Sequence, residues 1–289
     1  MKILRFRSLA IFSVLLGLLA PGKAEPVGPV RVFVCAHSFM IFTAKLLPPM
    51  AEAAGVPFTS AGQQMLGGSR VLQHWALPEG RNVAKEALRE GRVDVLTLSP
   101  HMLLPDEGID NFTRLGVEKN PNLRVFVQAS WPGFDGEQKG TFRNEQRNAA
   151  TVESLRAMRG KLREQWLGAL EEQVRGLNKA VGREAVHIVP VGDAVFALRE
   201  HIALGTVPGL VKQTDLFRDE IGHPREPLAE LVTYCHFAAI TGRNPDGLPV
   251  PADLKKFPEA EALNRLLQKL AWEAVTGYAM SGVKAAVAR

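Results

Sequence analysis

The stretch that decides the fold is Val30-Arg31-Val32-Phe33-Val34-Cys35-Ala36-His37-Ser38-Phe39-Met40. It begins as a run of β-branched and apolar residues, which is typical of a buried strand. Small residues and a serine follow, and then a segment of helical character, Ile41 to Ala54. A buried strand that turns sharply into a helix exposes a side chain of the turn at the carboxyl edge of the sheet. The pattern therefore predicts a serine hydroxyl at that edge and makes Ser38 a candidate nucleophile.

The rest of the chain alternates short apolar runs with amphipathic segments. Besides the first strand, apolar runs predict strands at 94–98, 123–129 and 185–191, and 58–66 is extended or irregular. Helical spacing predicts helices at 41–54, 82–90, 107–119, 151–181, 192–204, 227–241 and 259–276. Pro48-Pro49 indicates a kink or an early end of the first helix, and Leu72 to Gly80 is expected to be a loop. Such alternation predicts βαβ units and a mostly parallel sheet with helices on both faces.

The first residues have the pattern of a secretory signal peptide. An apolar run, Leu9 to Ala20, follows a basic start and precedes Gly22-Lys23-Ala24. The run has about 12 residues, against the roughly 20 that a membrane-spanning helix needs. We expect cleavage after Ala24, export to the periplasm or the extracellular space, and no stable membrane span afterwards. Residues 25–289 are then expected to form one α/β domain.

The charge of the remaining chain gives no support for nucleic-acid binding. The whole sequence has a formal charge of +5, with 35 basic and 30 acidic residues. Four of the basic residues and none of the acidic ones lie in 1–24, so residues 25–289 carry only +1. A nucleic-acid partner is therefore not expected. The oligomeric state is left open by the sequence.

Cys35 and Cys235 are the only cysteines. Both lie in apolar segments, one in a strand and the other in a helix, which favours buried free thiols over a disulfide between them. Neither belongs to a Cys-x-x-Cys pair, so a thiol redox site or a zinc site has no support. A metal site of His37, His101, His223 and Asp219 lacks any known ligand spacing, and no metal or other cofactor is expected.

A serine nucleophile needs a base, and His223 is the strongest candidate among seven histidines. It lies in a polar loop that follows the last predicted strand and helix pair. Carboxylates precede it by three, four and eight residues, at Glu220, Asp219 and Asp215. A carboxylate near the histidine can hold Nδ1–H and direct Nε2 at Ser38. The alternative is that these carboxylates are solvated loop charges and that His223-Pro224 starts a helix.

Several motifs in order along the chain resemble the SGNH (GDSL-like) hydrolase superfamily. They are Ala36-His37-Ser38-Phe39 after a strand, Gly67-Gly68-Ser69, a strand exit at Ser99, and an acidic residue followed by His223-Pro224. The segment Gly67 to Trp75, with Gly-Gly and His-Trp, is similar to a secreted bacterial branch of that superfamily. So is the stretch from His223 through Gly242 to Gly247-Leu248-Pro249. Each motif is weak alone, but their order and spacing are fairly specific.

The resemblance implies a flavodoxin-like three-layer α/β/α sandwich and ester hydrolysis through an acyl-enzyme. Ser38 would be the nucleophile and His223 the base. The acid three residues before the histidine, here Glu220, would orient it, with Asp219 as the substitute after a shift of one residue. The oxyanion hole would use the amides of Ser38 and of Gly67 or Gly68, together with a side chain at the exit of the third strand.

The sequence departs from the family pattern in three places, one of which is Glu220, where an aspartate is commoner. His37 stands where Gly-Asp-Ser has its aspartate, and Ser99-Pro100-His101 replaces the usual Gly-x-Asn-Asp. Ser99 or His101 would then act as the oxyanion donor. His37, His74, Trp75 and His101 are expected to line the substrate pocket, although packing roles for the first three are equally compatible with the sequence.

Two functions are compatible with these features. The first is a secreted serine esterase that acts on a small-molecule or carbohydrate ester. The second is a non-catalytic SGNH-like protein that binds a glycan or an envelope component. This hypothesis is favoured by Ser99-Pro100-His101, which stands where the family has Gly-x-Asn-Asp. A polar insert at about 131–150 should overhang the site, where Trp131, Phe134 and Asp135 could meet a carbohydrate or a peptide, or could belong to a mobile surface.

Overall fold

The computed structural model of the chain describes residues 29–284. The expected signal segment, 1–24, lies outside these residues. No helix within 29–284 is long and apolar enough to cross a membrane.

Five parallel strands form one central sheet. The strands are β1 (Val30–Ala36), β2 (Phe58–Met65), β3 (Val95–Leu98), β4 (Arg124–Gln128) and β5 (Val186–Val189). Their order across the sheet is β2-β1-β3-β4-β5, and every neighbouring pair is parallel. This is the flavodoxin-like order, in which the chain reverses its direction of winding between β1 and β3. Loops after these two strands form a crevice at the carboxyl edge, where ligands bind in sheets of this kind.

Helices cover both faces of the sheet and make the molecule a three-layer α/β/α sandwich. In chain order they are α1 (Thr43–Ala53), α2 (Val71–Trp75), α3 (Val83–Arg89), α4 (Glu107–Lys119), α5 (Val152–Leu162), α6 (Gly168–Val181), α7 (Val191–Ala203), α8 (Glu226–Thr241) and α9 (Ala260–Thr276). A short π-helical segment, Arg163–Leu167, joins α5 to α6.

The alternation of side chains along β1 divides the core in two. Val32, Val34 and Ala36 pack with the apolar faces of α1, α7, α8 and α9. Phe33 and Cys35 belong to the cluster on the other face, with α3, α4 and α6. Because both faces of the strand are covered, β1 is apolar almost throughout rather than alternating between apolar and polar residues.

The two cysteines lie on opposite faces of the sheet. Cys35 is in the cluster of α3, α4 and α6, whereas Cys235 is in the cluster of α8 and α9. Both thiols are free and buried. The sheet separates them, so a disulfide between them would require the core to come apart.

The structure differs from two sequence-based predictions of elements. Pro48-Pro49 indicated a kink or an early end of the first helix, and the early end does not occur, because α1 continues through both prolines to Ala53. Pro49 is exposed, so water can satisfy the carbonyl that loses its partner, while buried Leu47 and Met50 hold the helix on the core. The expected loop at 72–80 begins with α2, a helix of five residues, which is too short to show a hydrophobic period.

Candidate active site

Ser38 lies in the turn between β1 and α1, at the carboxyl edge of the sheet. The N–H groups of Met40 and Ile41 both donate to the carbonyl oxygen of His37 at 3.1 Å and close the turn. The Ser38 side chain is only partly buried. Because β1 is flanked by β2 and β3, this hydroxyl faces the crevice at which the sheet changes its winding direction.

Three side chains form a continuous row of hydrogen bonds. Ser38 Oγ lies 2.8 Å from His223 Nε2. His223 Nδ1 lies 2.7 Å from Asp219 Oδ2. A carboxylate at Nδ1 holds the proton on that nitrogen and leaves Nε2 free to accept the proton of the serine. The row has the geometry in which a base activates a hydroxyl nucleophile.

The expectation that Glu220 occupies the place beside His223 is wrong, because the carboxylate there belongs to Asp219. The Glu220 side chain is exposed and is not hydrogen-bonded to any residue of 29–284. The reason lies in the turn between the two residues. Gly222 adopts a φ of +101° and donates its N–H to the carbonyl of Asp219 at 3.1 Å. This turn folds Asp219 back over the imidazole and leaves Glu220 on its outer side.

The surroundings of Asp219 keep it ionised. Burial raises its pKa, but the hydrogen bonds from the His223 ring and amide, the charge of His223 and the bond from Gly222 outweigh burial and lower the pKa below its ordinary value. Its Oδ1 accepts the N–H groups of Gly222 at 3.1 Å and His223 at 3.2 Å. A carboxylate held in this way can both orient the ring and stabilise its protonated form.

A buried ionic cluster supports the loop that carries Asp219 and Glu220. The Arg147 guanidinium donates to the carbonyl oxygens of Asp219 at 2.9 Å and Glu220 at 2.7 Å. It also donates to Asp135 Oδ1 at 3.0 Å, while Arg199 donates to Asp135 Oδ2 at 2.6 Å. The side chains of both arginines are fully enclosed, with 0% exposure. Buried charges of this kind persist when they are paired and hydrogen-bonded.

The polar insert at 131–150 is therefore part of the frame of the site. Trp131 is 1% exposed, stacks on Phe39 with ring centroids 4.6 Å apart, and donates Nε1–H to the carbonyl of Gly222 at 3.0 Å. Asp135 is bound in the ionic cluster and is closed to a ligand. Of the three insert residues expected to meet a ligand, Phe134 and Trp131 both line an open cavity beside Ser38.

That cavity, which we call the apolar chamber, has a volume of about 550 Å³. It opens between the turn after β1 and the loops after β2, β3 and β4. Its walls combine aromatic, thioether and aliphatic side chains with the catalytic candidates and three glycines. The lining residues are His37, Ser38, Phe39, Met65, Gly67, Gly68, Pro100, His101, Met102, Ser130, Trp131, Gly133, Phe134, Ile221 and His223.

His37 and His101, two of the expected pocket residues, both line the apolar chamber. His37 is nearly enclosed, at 6% exposure. Its Nδ1 accepts the N–H of Phe39 at 3.2 Å, so Nε2 carries the proton and donates to the carbonyl of Pro100 at 3.3 Å. Burial lowers the His37 pKa to about 4, which keeps the ring neutral and fixed. His101 is exposed at the rim.

Free backbone amides lie on the chamber side of Ser38. The N–H groups of Ser38, Gly67 and Gly68 donate no hydrogen bond to any residue of 29–284, and all three residues line the chamber. Amides without an acceptor at such a position are suited to an oxyanion.

The expectation that Ser99 provides an oxyanion donor is wrong. Ser99 is fully buried, its hydroxyl has no hydrogen-bond partner within the described chain, and it does not line the chamber. It directly follows β3 (Val95–Leu98), in which all four residues are buried, and its side chain stays in the core.

His74 and Trp75 do not line the chamber either, so this part of the expected pocket is wrong. Both lie on α2, which packs with α3, α4 and α6 on one face of the sheet. His74 is fully buried, with Nδ1 3.2 Å from Gln64 Nε2. Trp75 packs edge-on against Phe112, with centroids 5.0 Å apart, and Lys85 Nζ lies 3.9 Å over its ring. The pair packs on the core.

A second cavity lies on the other side of Ser38 and His223, and we call it the polar cleft. It has a volume of about 530 Å³ and is lined by more charged groups than the chamber. Lys45, Arg218 and Arg225 face it together with Glu226 and Glu230. Burial and the charge of the nearby Asp253 raise the Glu230 pKa to about 7. The candidate nucleophile thus lies between an apolar space and a charged one.

Gln128 also supports the site and was not anticipated from the sequence. It ends β4, is fully buried, and donates to the carbonyl of Phe39 at 3.1 Å and to Ser130 Oγ at 2.7 Å. Its Oε1 lies 2.9 Å from His236 Nε2 on α8. An amide at the end of an apolar strand and a histidine in an apolar helix were the available signals, but their pairing across 108 positions is not visible in the sequence.

Comparison with known proteins adds a distant structural likeness. No family model and no curated protein matches the chain. A crystal structure of a DUF4886 family protein from Bacteroides uniformis is similar, with a TM-score of 0.48, 14% identity, and coverage of 86% of this chain and 95% of that one. A protein from Slackia heliotrinireducens described as a candidate SGNH hydrolase has a TM-score of 0.41 and 15% identity, covering 73% and 98% of the two chains. Likeness at this level does not assign a reaction to the chain.

Proposed function

We propose that the chain is a serine hydrolase of the SGNH type that cleaves ester bonds. One observation carries the proposal: Ser38, His223 and Asp219 are joined by hydrogen bonds of 2.8 Å and 2.7 Å beside open cavities. A structural ion pair alone would leave no reason for the histidine to point its second nitrogen at a partly exposed serine.

In the proposed reaction, Ser38 Oγ attacks the ester carbonyl carbon while His223 Nε2 takes its proton. The carbonyl oxygen becomes an oxyanion, which would accept hydrogen bonds from the amides of Ser38, Gly67 and Gly68, residues that line the chamber and whose N–H groups have no acceptor within 29–284. His223 then gives the proton to the departing alcohol, leaving an acyl group on Ser38. Water, activated in turn by His223, releases the acid and restores the serine. These steps use only side chains and amides of this chain.

The test is hydrolysis of p-nitrophenyl acetate by purified residues 25–289. Wild-type protein should turn the ester over, and Ser38→Ala should lower kcat at least about 1000-fold, since a triad acts as a unit. A circular dichroism spectrum and unfolding midpoint equal to those of wild type would show that the variant folds. Undiminished hydrolysis by folded Ser38→Ala would overturn the proposal.

A second candidate, a binding protein without activity, is favoured by one observation. The exit of β3 supplies no hydroxyl to the chamber, because Ser99 is buried away from it, so His101 is the side chain of that exit that remains beside the free amides. That function predicts a folded wild-type protein with no Ser38-dependent turnover of any ester, and ligand binding that is equal in wild type and Ser38→Ala.

Export belongs to the same proposal and rests on the first 24 residues. The basic start, the apolar run and the Gly22-Lys23-Ala24 end support cleavage after Ala24. Amino-terminal sequencing of the protein recovered from its native host should begin at Glu25. A recovered chain that begins at Met1 in the cytoplasmic fraction would contradict export.

A further inference from the structure

The walls of the apolar chamber are suited to hydrocarbon. Phe39, Met65, Met102, Trp131, Phe134 and Ile221, together with Pro100, make seven of its twelve lining side chains apolar. Within 29–284, none of the residues lining it is an aspartate, glutamate, lysine or arginine. A sugar in this space would lose water from its hydroxyl groups and find few side-chain partners, which costs free energy for each unpaired group.

The rim of the chamber is apolar as well. Met65 is 52% exposed and Ile221 is 37% exposed, although both are large hydrophobic side chains. Leu103, which follows the lining residue Met102, is 62% exposed. Folding leaves these side chains in water at the opening of a cavity that begins at the nucleophile. Exposed apolar groups at such a place mark a ligand-binding surface.

The two sides of Ser38 differ in charge. The polar cleft has apolar residues such as Phe42 and Leu46 in its lining, but it also presents Lys45, Arg218, Arg225 and Glu226, so a hydrocarbon chain bound there would lie against charged groups. An ester bound with its carbonyl at Ser38 has two ends, and its hydrocarbon end gains more from the chamber than from the cleft.

We propose that the apolar chamber binds a hydrocarbon group of several carbons carried by the ester substrate. This inference rests on the proposed function of Ser38 and narrows its substrate class from esters in general to apolar esters, away from acetylated carbohydrates. The chamber volume of about 550 Å³ is within the range of small-molecule sites. The hydrocarbon could be the acyl or the alcohol part of the ester, and the assay separates the two.

The first test measures kcat/KM with two series of esters. One series varies the acyl part from p-nitrophenyl acetate to butyrate, hexanoate and octanoate, and the other varies the alcohol part from ethyl to octyl acetate. In one of them kcat/KM should rise at least about tenfold in total, against a limit of about fourfold for each buried methylene group. A rise in the first series places the acyl chain in the chamber, and a rise in the second places the alcohol there. Flat or falling values in both series overturn the inference.

The second test alters the wall. Met65→Asn with Met102→Asn makes the chamber more polar at two loop-side positions. The ratio of kcat/KM for the longest ester to kcat/KM for the shortest ester of the responding series should fall at least about fivefold, which is less than the roughly 16-fold that two buried methylene groups give at about fourfold each. Val211→Asn is the matched control, since Val211 is 81% exposed and does not line the chamber; its ratio should equal that of wild type. An unchanged ratio in the double variant overturns the inference.

A binding measurement separates this inference from the proposed function. Ser38→Ala is titrated calorimetrically with butanoate, hexanoate and octanoate and with the matching 1-alkanols. The affinity should rise with chain length, and it should rise less when Met65→Asn and Met102→Asn are added. This result supports hydrocarbon binding in the chamber even if no ester is hydrolysed. Affinity that does not depend on chain length in either series overturns the proposal that the chamber binds hydrocarbon, whether or not the wild-type protein is active.

Discussion

Asp219 and Glu220 carry the same charge one position apart, yet only Asp219 reaches the His223 imidazole. The positive φ of Gly222 folds the loop so that the residue four positions before the histidine lies over the ring. Family spacing pointed to Glu220, and only the turn geometry selects its neighbour. The conformation of one glycine therefore decides which carboxylate is hydrogen-bonded to the His223 ring.

Exchange of each carboxylate for its amide separates the two. Asp219→Asn removes the charge at Nδ1 and should lower kcat/KM for p-nitrophenyl acetate about 100- to 10,000-fold, the range of general acid–base effects. Glu220→Gln is the matched control and should stay within about twofold of wild type, because its side chain is exposed. Equal losses in both variants, or a larger loss in Glu220→Gln, would contradict the assignment.

Ser38, His223 and the amides of Gly67 and Gly68 were predictable from the sequence, but the buried position of Ser99 was not. A strand followed by a small turn marks the serine, and a histidine among carboxylates marks the base; both signals are local. Ser99 and His74 carry suitable chemical groups, yet burial decides their roles, and both are fully enclosed. Burial depends on elements distant in the chain, so the sequence alone left their packing role and their functional role open.

Among the elements, the insert at 131–150 differs most from its sequence-based description. Its polar composition predicted an overhanging surface segment. It is instead joined to the fold by Asp135, Arg147 and Arg199, whose ion pairs link positions 12 and 64 apart. A charged residue in a polar loop gives no local sign of a distant partner, which explains why the sequence could not predict this frame. Strands and long helices were predicted well, because their signals are periodic and local.

Arg147→Ala tests the role of the insert. The substitution leaves Asp135 with one partner fewer and frees two carbonyls of the Asp219 loop, so the free energy of unfolding should fall by about 3–5 kcal/mol. In the fraction that remains folded at low temperature, kcat should fall more than KM changes, because the loop positions Asp219 and His223. Arg143→Ala, at an exposed position of the same insert, should change stability by no more than about 0.5 kcal/mol. Similar unfolding curves for both variants would show that the cluster does not hold the loop.

At the scale of the whole molecule, histidines enclosed in both cores link stability to pH. Burial lowers the pKa of His37 to about 4, of His74 to about 4 and of His236 to about 3. Their ordinary value is 6.5. Between about pH 6.5 and 4 the unfolded chain therefore binds protons that the folded chain does not. The free energy of unfolding should decrease as the pH falls through this window.

Urea unfolding at pH 7.5, 6.0 and 5.0 measures this dependence. Each of the three groups contributes up to about 1.4 kcal/mol per pH unit inside its window, so stability at pH 5.0 should be clearly lower than at pH 7.5. His236→Gln removes one group and should make the dependence shallower. Stability that stays constant or increases from pH 7.5 to 5.0 would contradict the burial of neutral histidines.

The order of the strands in the sheet explains why the candidate site lies at the turn after β1. The strand order β2-β1-β3-β4-β5 puts the turn after β1 at the crevice. The loops after β2, β3 and β4 supply Gly67, Gly68 and most of the chamber wall, and the segment between α7 and α8 supplies His223. The alternating apolar pattern predicted the sheet and its helices. It did not predict the apolar chamber, because Phe39, Met65 and Phe134 come from three separate loops and strand ends.

The most direct test of the central claim is labelling with a fluorophosphonate, which forms a covalent bond with an activated serine. Purified residues 25–289 are treated with the probe, digested and mapped by mass spectrometry. One modified residue is expected, Ser38, with labelling absent in Ser38→Ala and slowed at least about 100-fold in Asp219→Asn. Folded wild-type protein that stays unlabelled, or is labelled at another residue while Ser38 stays intact, would contradict the claim that Ser38 is the activated nucleophile.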